Sequence, residues 1–197
     1  MADKFQNKYR IPSARASWWD YGSNAPYFVT ICTKNRKHFF GKIVEGEMHL
    51  TEIGQSAYDC WNEIPNHFPF VVLDEFVVMP NHIHGIIIID KPADGADGDG
   101  ADGVQTQNFA SLPVSGLQSQ TDHSTTINKF GPQSQNLASI IRGFKIGVTK
   151  FAKTKINGFG WQPRFHDHII RNEESYQRIK KYIKTNPQNW KSDKFSN

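Results

Sequence analysis

The chain has 197 residues, 38% of them hydrophobic and 21% charged, which suits one well-cored domain and disfavours two. Its two cysteines, Cys32 and Cys60, have no zinc-finger spacing and are too few for a disulfide framework, so they indicate a reducing compartment. The N-terminus has no apolar signal segment, and the longest aliphatic run, residues 86–89, is far too short to cross a bilayer. These features predict a soluble cytoplasmic protein with no membrane partner.

The formal net charge of +4 is unevenly distributed along the chain. Residues 92–128 hold five aspartates and no lysine or arginine, so removing those five negative charges leaves +9 on the other 160 residues. A body this basic favours an anionic partner, nucleic acid before others.

Four elements are predicted before residue 91. Residues 27–33, YFVTICT, are rich in β-branched and aromatic side chains and predict a buried strand. Residues 51–68 have apolar side chains at helical spacing, with Thr51 suited to cap the helix. Residues 70–80 and 82–90 predict two strands joined by a tight turn, which is typical of a hairpin.

A low-complexity insertion follows at about residues 91–130. It is dense in Gly, Asp, Ser and Gln and predicts a loop or a disordered segment. Its DGADGDGADG run supplies alternating carboxylates but lacks the spaced terminal Glu of a calcium-binding EF-hand loop. We therefore interpret the run as solvated acidic sequence.

Three elements are predicted after the insertion. Residues 136–153 form an amphipathic pattern of helical period, residues 159–171 predict a strand, and a last helix is capped by Asn172 and closed by Pro187. The sum is βαββαβ plus a terminal helix. That order predicts an α+β class, a ferredoxin-like (RRM-like) sandwich with an antiparallel sheet and helices on one face, in a single domain spanning residues 1–197.

Two histidines open the most aliphatic predicted strand, in MPNHIHGIIII. Since successive side chains of a strand point to opposite faces, His82 and His84 share one face, about 7 Å apart, while Ile83 points into the core. Both could converge on one metal ion or be ordinary surface residues. A second pair, His166 and His168, has the same spacing, and a site using all four would form a nitrogen cage suited to zinc.

The last predicted helix has two stripes. Tyr176, Ile179 and Ile183 follow the spacing of a core face, whereas Tyr182 and Asn186 lie four residues apart and project together from a neighbouring face. A phenol beside a carboxamide can present a nucleophile next to a neutral oxygen ligand. A half-buried aromatic residue and a helix-ending Asn before Pro187 remain alternatives.

These stretches resemble a known family. MPNHIHGII resembles the His-hydrophobic-His motif of the HUH single-tyrosine transposases (transposase IS200-like), and YIKTNP resembles the Tyr-Ile-x-x-Asn-Pro helix of their REP-associated branch. Further blocks, DYGSNAPYFVTICTKNRKHFFGKI, GPQSQNLASIIRGFKIGVTKFA and WQPRFHDHIIRNEESYQRIKKYI, are similar to that branch and occur in the same order. The acidic insertion is where the chain departs most from the family.

The resemblance implies a ferredoxin-like fold and a metal-dependent endonuclease and strand transferase that cleaves single-stranded DNA, at palindromic hairpin repeats, through a 5′-phosphotyrosine. It implies that His82 and His84 are metal ligands, with Asn186 the third, that Tyr182 is the nucleophile, and that the ion is Mg²⁺ or Mn²⁺. The oligomeric state stays open between monomer and homodimer.

Further predictions concern the DNA contact. Exposed cations and one aromatic residue are candidates to hold the strand: Arg142, Lys145, Lys150, Trp161, Arg164 and Arg171. Two other functions stay open. One is a non-catalytic binder of single-stranded nucleic acid that stacks bases on its sheet; the other is a metal-dependent phosphoesterase using His82, His84, His166 and His168.

Overall fold

The structure is a computed structural model that describes residues 16, 18–92 and 135–196. Almost all of the predicted acidic insertion lies outside these described residues. Ten strands and helices are formed, in chain order β1 (Ala25–Cys32), β2 (Gly41–Val44), β3 (Glu47–Leu50), α1 (Glu52–Asn62), α2 (Ile64–His67), β4 (Val71–Met79), β5 (His82–Ile89), α3 (Leu137–Lys155), β6 (His166–Ile169) and α4 (Glu173–Thr185). None of the helices in this part of the chain has the length and apolar character needed to cross a lipid bilayer.

The main sheet has four strands in the order β4-β5-β1-β6, with every neighbouring pair antiparallel. The third long strand of the chain, β5, therefore lies beside the first, as two interleaved βαβ units require. The α+β, ferredoxin-like class predicted from the element order is confirmed.

The first face of the sheet carries the larger core. Inward side chains of β1 and β5, such as Val29, Ile31 and Ile83, pack against α1 and α3 and are fully buried. Trp61 of α1 lies flat against this face because Gly85 leaves room for it: a Cβ on Gly85 would come within 2.3 Å of the indole. A side chain at position 85 would push α1 away from the sheet.

The terminal helix α4 covers the opposite face. Its residues Tyr176, Ile179 and Ile183 pack on Phe28 and Ile86, whose side chains point away from α1 and α3. The expectation of helices on one face therefore holds only for α1 and α3. Pattern alone could not place α4, because either face of the sheet offers apolar side chains.

A polar anchor fixes α4 over the sheet. Asp74 lies in a bulge of β4, where the register shifts between Leu73 and Phe76. Its carboxylate accepts hydrogen bonds from the Tyr176 hydroxyl and from Nζ of Lys180, the latter at 2.8 Å. The anchor holds the helix that carries Tyr182 and Asn186.

The structure corrects two sequence predictions and adds one hairpin. The helix predicted over residues 51–68 ends at Asn62, and a short α2 follows it. The strand predicted over residues 159–171 is only His166–Ile169, because the chain before it turns with Arg164 at a φ of 69°. The β2–β3 hairpin was not predicted; it turns through Glu45 and Gly46, at φ values of 52° and 82°.

Candidate active site

His82 and His84 lie side by side at the start of β5 and are both buried. Their ring centroids are 4.4 Å apart, and Ile83 between them points into the α1 and α3 core. The alternation predicted from the sequence therefore brings both imidazoles to one face, under α4 and the chain that follows it.

Asn81 fixes the orientation of His82. The Asn81 amide nitrogen donates to the backbone carbonyls of Arg36, at 3.1 Å, and Phe195, at 2.7 Å. Carbonyls only accept, so the amide oxygen must face His82, and Nδ1 of His82 donates to it at 2.8 Å. The lone pair of His82 is thereby left on Nε2, which is buried and has no hydrogen-bond partner.

His84 is held by contacts at both ring nitrogens. Its Nδ1 is 2.9 Å from the Thr30 hydroxyl on β1, and its Nε2 is 3.2 Å from the Tyr182 hydroxyl on α4. The ring stacks on Phe28 at a centroid distance of 5.3 Å. Tyr182 is 40% exposed, although its hydroxyl contacts groups of the site.

Asn186 and Asp193 complete the cluster. Asn186 ends α4 and is buried; its amide nitrogen donates to Oδ2 of Asp193 at 3.0 Å, and its Oδ1 has no partner. Oδ2 of Asp193 is also 3.5 Å from the Tyr182 hydroxyl. The helical spacing predicted from the sequence puts Tyr182 and Asn186 on one stripe of α4, and the packing of α4 over the sheet brings this stripe to the histidines.

Burial sets the protonation of the site. Burial, helped by the positive charges of Arg36 and Lys194, lowers the pKa of His82 to about 3. Burial and the neighbouring His82 also hold the pKa of His84 well below its ordinary value. Both imidazoles are therefore neutral near pH 7, the form in which histidine binds metal.

The donor set fits a divalent metal ion. Donor atoms of His82, His84 and Asp193 all lie within 4.8 Å of one another, so this group could hold an ion. The two buried atoms without partners, Nε2 of His82 and Oδ1 of Asn186, are lone-pair donors beside it. Unpaired buried acceptors are costly unless a cation satisfies them.

Sequence reasoning did not find Asp193, Asn81 or Thr30. Asp193 follows Pro187, where the chain has no period to interpret. Asn81 and Thr30 act through partners that are distant in sequence. Asn81 directly precedes the histidine pair in PNHIH, and this adjacency is the sequence signal that could have marked it as a candidate.

The second histidine pair does not join the cluster. His166 and His168 lie on the edge strand β6 and are exposed. Within the described residues, His82, His84 and Asp193 are the group of histidine, cysteine and carboxylate side chains close enough to share an ion. The four-histidine cage is therefore not formed.

The predicted DNA-contacting residues are divided between two regions. Arg142, Lys145 and Lys150 line a groove of about 490 Å³ along α3, on the sheet face opposite the histidines. Burial lowers the pKa of Lys145 to about 8, and its Nζ donates to the carbonyls of Gln162 and Arg164.

The other three candidates differ in exposure, and Arg164 is exposed in the bend before β6. Trp161 is half-buried among Phe40, Phe144 and Phe159, and its N–H donates to the Lys145 carbonyl at 3.2 Å. Arg171 is exposed on the β6 side, with its guanidinium 4.8 Å from the centre of the Trp18 ring.

Comparison with known proteins gives one relative by sequence and several by structure, of which two are described. No family model matches the chain. An uncharacterised protein of Haemophilus influenzae is 38% identical over 182 residues, covering 92% of this chain and 90% of that protein. A solved REP-associated tyrosine transposase bound to a REP hairpin superposes with a TM-score of 0.53 at 19% identity, over 90% of this chain and 73% of that one. A transposase-like protein of Deinococcus radiodurans superposes less well, with a TM-score of 0.40 at 14% identity.

Proposed function

Because this chain belongs to one family with the Haemophilus influenzae protein and has the fold of the REP-associated tyrosine transposases, we propose that it is a metal-dependent endonuclease and strand transferase for single-stranded DNA. Its substrate is a hairpin with single-stranded flanks, like the REP hairpin bound by the structural relative. The intermediate is a 5′-phosphate ester of Tyr182.

The position of the Tyr182 hydroxyl carries this proposal. It lies 3.2 Å from Nε2 of His84 and 3.5 Å from Oδ2 of Asp193, on a side chain that is 40% exposed. A structural tyrosine of the same helix, Tyr176, is by contrast buried and donates to Asp74. Tyr182 is therefore the α4 phenol that a phosphodiester can approach from solvent.

His82, His84 and Asn186 would hold the ion, beside the negative charge of Asp193. When bound, Mg²⁺ or Mn²⁺ supplies Lewis-acid polarisation of a phosphate oxygen. The imidazoles and the amide oxygen are neutral, so the Asp193 carboxylate alone among these four groups would offset part of the ion's charge, and the remainder suits an anionic substrate. Nε2 of His84 has a single lone pair, so it can either coordinate the ion or accept a hydrogen bond from the Tyr182 hydroxyl, but not both.

The chain's own groups account for the proton and the new bond. Burial and the Asp193 charge raise the pKa of Tyr182, so the phenol is protonated at rest. As the tyrosine oxygen bonds to phosphorus, its proton passes to Oδ2 of Asp193, the nearest carboxylate oxygen. The bond from phosphorus to the 3′-oxygen breaks, and that oxygen leaves as a 3′-hydroxyl after taking a proton from water.

The covalent ester makes strand transfer possible. Attack of a second 3′-hydroxyl on the phosphotyrosine reverses the step, restores a phosphodiester and returns the proton to Tyr182. One phosphodiester is exchanged for another, so no ATP is consumed.

The test is an adduct assay with a labelled hairpin. The protein is incubated with the single-stranded hairpin and Mn²⁺, denatured in SDS and resolved on a gel. We expect a labelled protein band that Tyr182→Phe abolishes and that Tyr176→Phe, the same substitution on the same helix, retains.

Two results would reject the mechanism. One is an adduct that persists in Tyr182→Phe. The other is hairpin binding without any adduct in the unmodified protein, which would favour the non-catalytic binder.

A further inference from the structure

A second cavity opens between the edge strand and the start of α4. It measures about 480 Å³ and is here called the β6–α4 cavity. Its lining combines aromatic, cationic, anionic and neutral polar side chains: Trp18, Tyr21, Asp167, His168, Arg171, Asn172, Glu174 and Arg178. None of these groups belongs to the histidine cluster.

Helical geometry places this cavity next to Tyr182. Ser175 and Arg178 line it, and Tyr182 follows them at i+7 and i+4 on the same stripe of α4. Arg178 is thus about one helical turn, roughly 6 Å along the axis, from the proposed nucleophile.

The sheet links the same two regions a second time. His168 of the cavity pairs in register with Phe28 of β1, so their side chains share one face. Phe28 stacks on His84 at 5.3 Å and meets the Tyr182 ring edge-on at 6.3 Å. A strand joined to Tyr182 can therefore place a neighbouring nucleotide in the cavity.

The chemistry of the lining suits a nucleobase more than a phosphate. Trp18 is 65% exposed, with the Arg171 guanidinium 4.8 Å from its ring centre, and offers a flat surface on which a base can stack. The Glu174 carboxylate would repel a phosphate, but it can accept hydrogen bonds from base amino groups, while arginines donate to base carbonyl oxygens and ring nitrogens.

We propose that the β6–α4 cavity binds one base of the single-stranded flank beside the scissile phosphodiester and so selects the cleavage position. The base stacks on Trp18, and Arg178 reads its edge. This inference rests on the proposed DNA substrate, but it does not depend on metal binding or on cleavage.

The experiment measures binding in Tyr182→Phe without metal, so that no cleavage occurs. Fluorescence anisotropy follows a labelled hairpin with single-stranded flanks, and a series of the same hairpin with one abasic site moved along each flank. We expect one flank position at which losing the base weakens binding about tenfold. In the double variant with Tyr182→Phe and Trp18→Ala, the intact hairpin should bind about as weakly as that abasic hairpin binds to Tyr182→Phe alone. In this double variant, the abasic site at that position should cause no further loss of affinity.

Matched variants separate base recognition from general effects. Trp18→Phe keeps a stacking ring and should retain the position-specific loss. Tyr58→Ala removes another exposed aromatic side chain, 43% exposed on α1 at the opposite face, and should bind every hairpin as before. Arg178→Lys keeps the charge but not the planar fork, so it should keep affinity and reduce discrimination among bases at that position.

The proposal is overturned if Trp18→Ala leaves binding unchanged, or weakens the intact and all abasic hairpins by the same factor. Those results leave the proposed function standing, because the hairpin still binds. Absence of hairpin binding in the starting protein would overturn the proposed function together with this inference.

Discussion

His82 and His84 on β5, and His166 and His168 on β6, repeat one spacing on one face of one sheet. His166 lies across from Thr30, the same residue whose hydroxyl contacts His84 on the other side. The first pair is nevertheless buried and the second exposed.

The difference comes from what covers each strand. β5 has a strand on both sides, and the chain after α4 folds back over it, with the Phe195 ring 4.6 Å and the Trp190 ring 6.0 Å from His82. β6 is an edge strand with one neighbour. Two histidines on a strand therefore form a candidate metal site only where other elements exclude water and add donors.

The largest contrast is expected in DNA cleavage. His84→Ala removes a proposed metal ligand. Loss of a residue that only hydrogen-bonds to such a ligand typically lowers metal affinity or activity by about 10–100-fold, so loss of the ligand itself should lower Mn²⁺-dependent adduct formation by more than about 100-fold. His166→Ala, the matched change on β6, should react at close to the unmodified rate. Initial rates of adduct formation measure both, and equal losses from the two substitutions would contradict the contrast.

The second contrast concerns Asn81, which has no counterpart at the exposed pair. Asn81→Ala removes the acceptor that keeps the His82 lone pair on Nε2, so Mn²⁺ affinity should fall by about 10–100-fold. Calorimetric titration of the folded variant measures this. Asn66→Ala, which removes an exposed amide bonded to Glu63, is the control. Unchanged Mn²⁺ affinity in Asn81→Ala would show that His82 needs no such partner.

A third expectation concerns the Asp74 anchor of α4. Of the two histidine pairs, this helix covers only His82 and His84. Asp74→Asn weakens the contacts to Lys180 and Tyr176 and should lower the free energy of unfolding at pH 7 by about 1–2 kcal/mol. Glu75→Gln, at the more exposed pair with Lys184, should cost less. Urea unfolding curves measure both effects.

The same anchor predicts a pH dependence. Burial alone would raise the pKa of Asp74, but hydrogen bonds from Lys180 and Tyr176 outweigh it and hold the pKa below its ordinary 3.8. A carboxyl group whose pKa is lower in the folded than in the unfolded protein stabilises the fold when the pH is above its unfolded-state pKa. This contribution to the free energy of unfolding is lost as the pH falls through the folded-state pKa. The cost of Asp74→Asn should therefore shrink as the pH falls below the ordinary carboxyl pKa of 3.8; a constant cost from pH 7 to pH 2 would refute this account.

The smallest effect is expected for the stability of the exposed pair. His166→Ala should change the free energy of unfolding by no more than about 0.5 kcal/mol, because the side chain is exposed on an edge strand. His82→Ala should cost more, since it leaves Asn81 Oδ1 buried without its donor. Thermal unfolding compares the two, and similar costs would mean that burial does not separate the pairs.

Much of the fold followed from local pattern. β-branched, aromatic and aliphatic runs predicted β1 and β5, and the period of 3.6 predicted α1, α3 and α4; the resulting element order is confirmed. The β2–β3 hairpin was missed because its strands have only four residues each and its turn sequence, Glu45-Gly46, lies in a largely exposed segment. A short exposed hairpin has little hydrophobic alternation to detect.

The sequence by itself determined which side chains share a face: His82 with His84 by strand alternation, and Tyr182 with Asn186 by helical spacing. Only the tertiary structure decided that these two faces meet, because that depends on α4 covering the sheet face away from α1 and α3. It also decided which histidine pair is buried. Contacts spanning up to 114 residues brought Asp193 to the site and fixed the Asn81 amide that orients His82. Local periodicity is set by backbone geometry within a few residues, whereas burial and donor convergence depend on packing between distant segments.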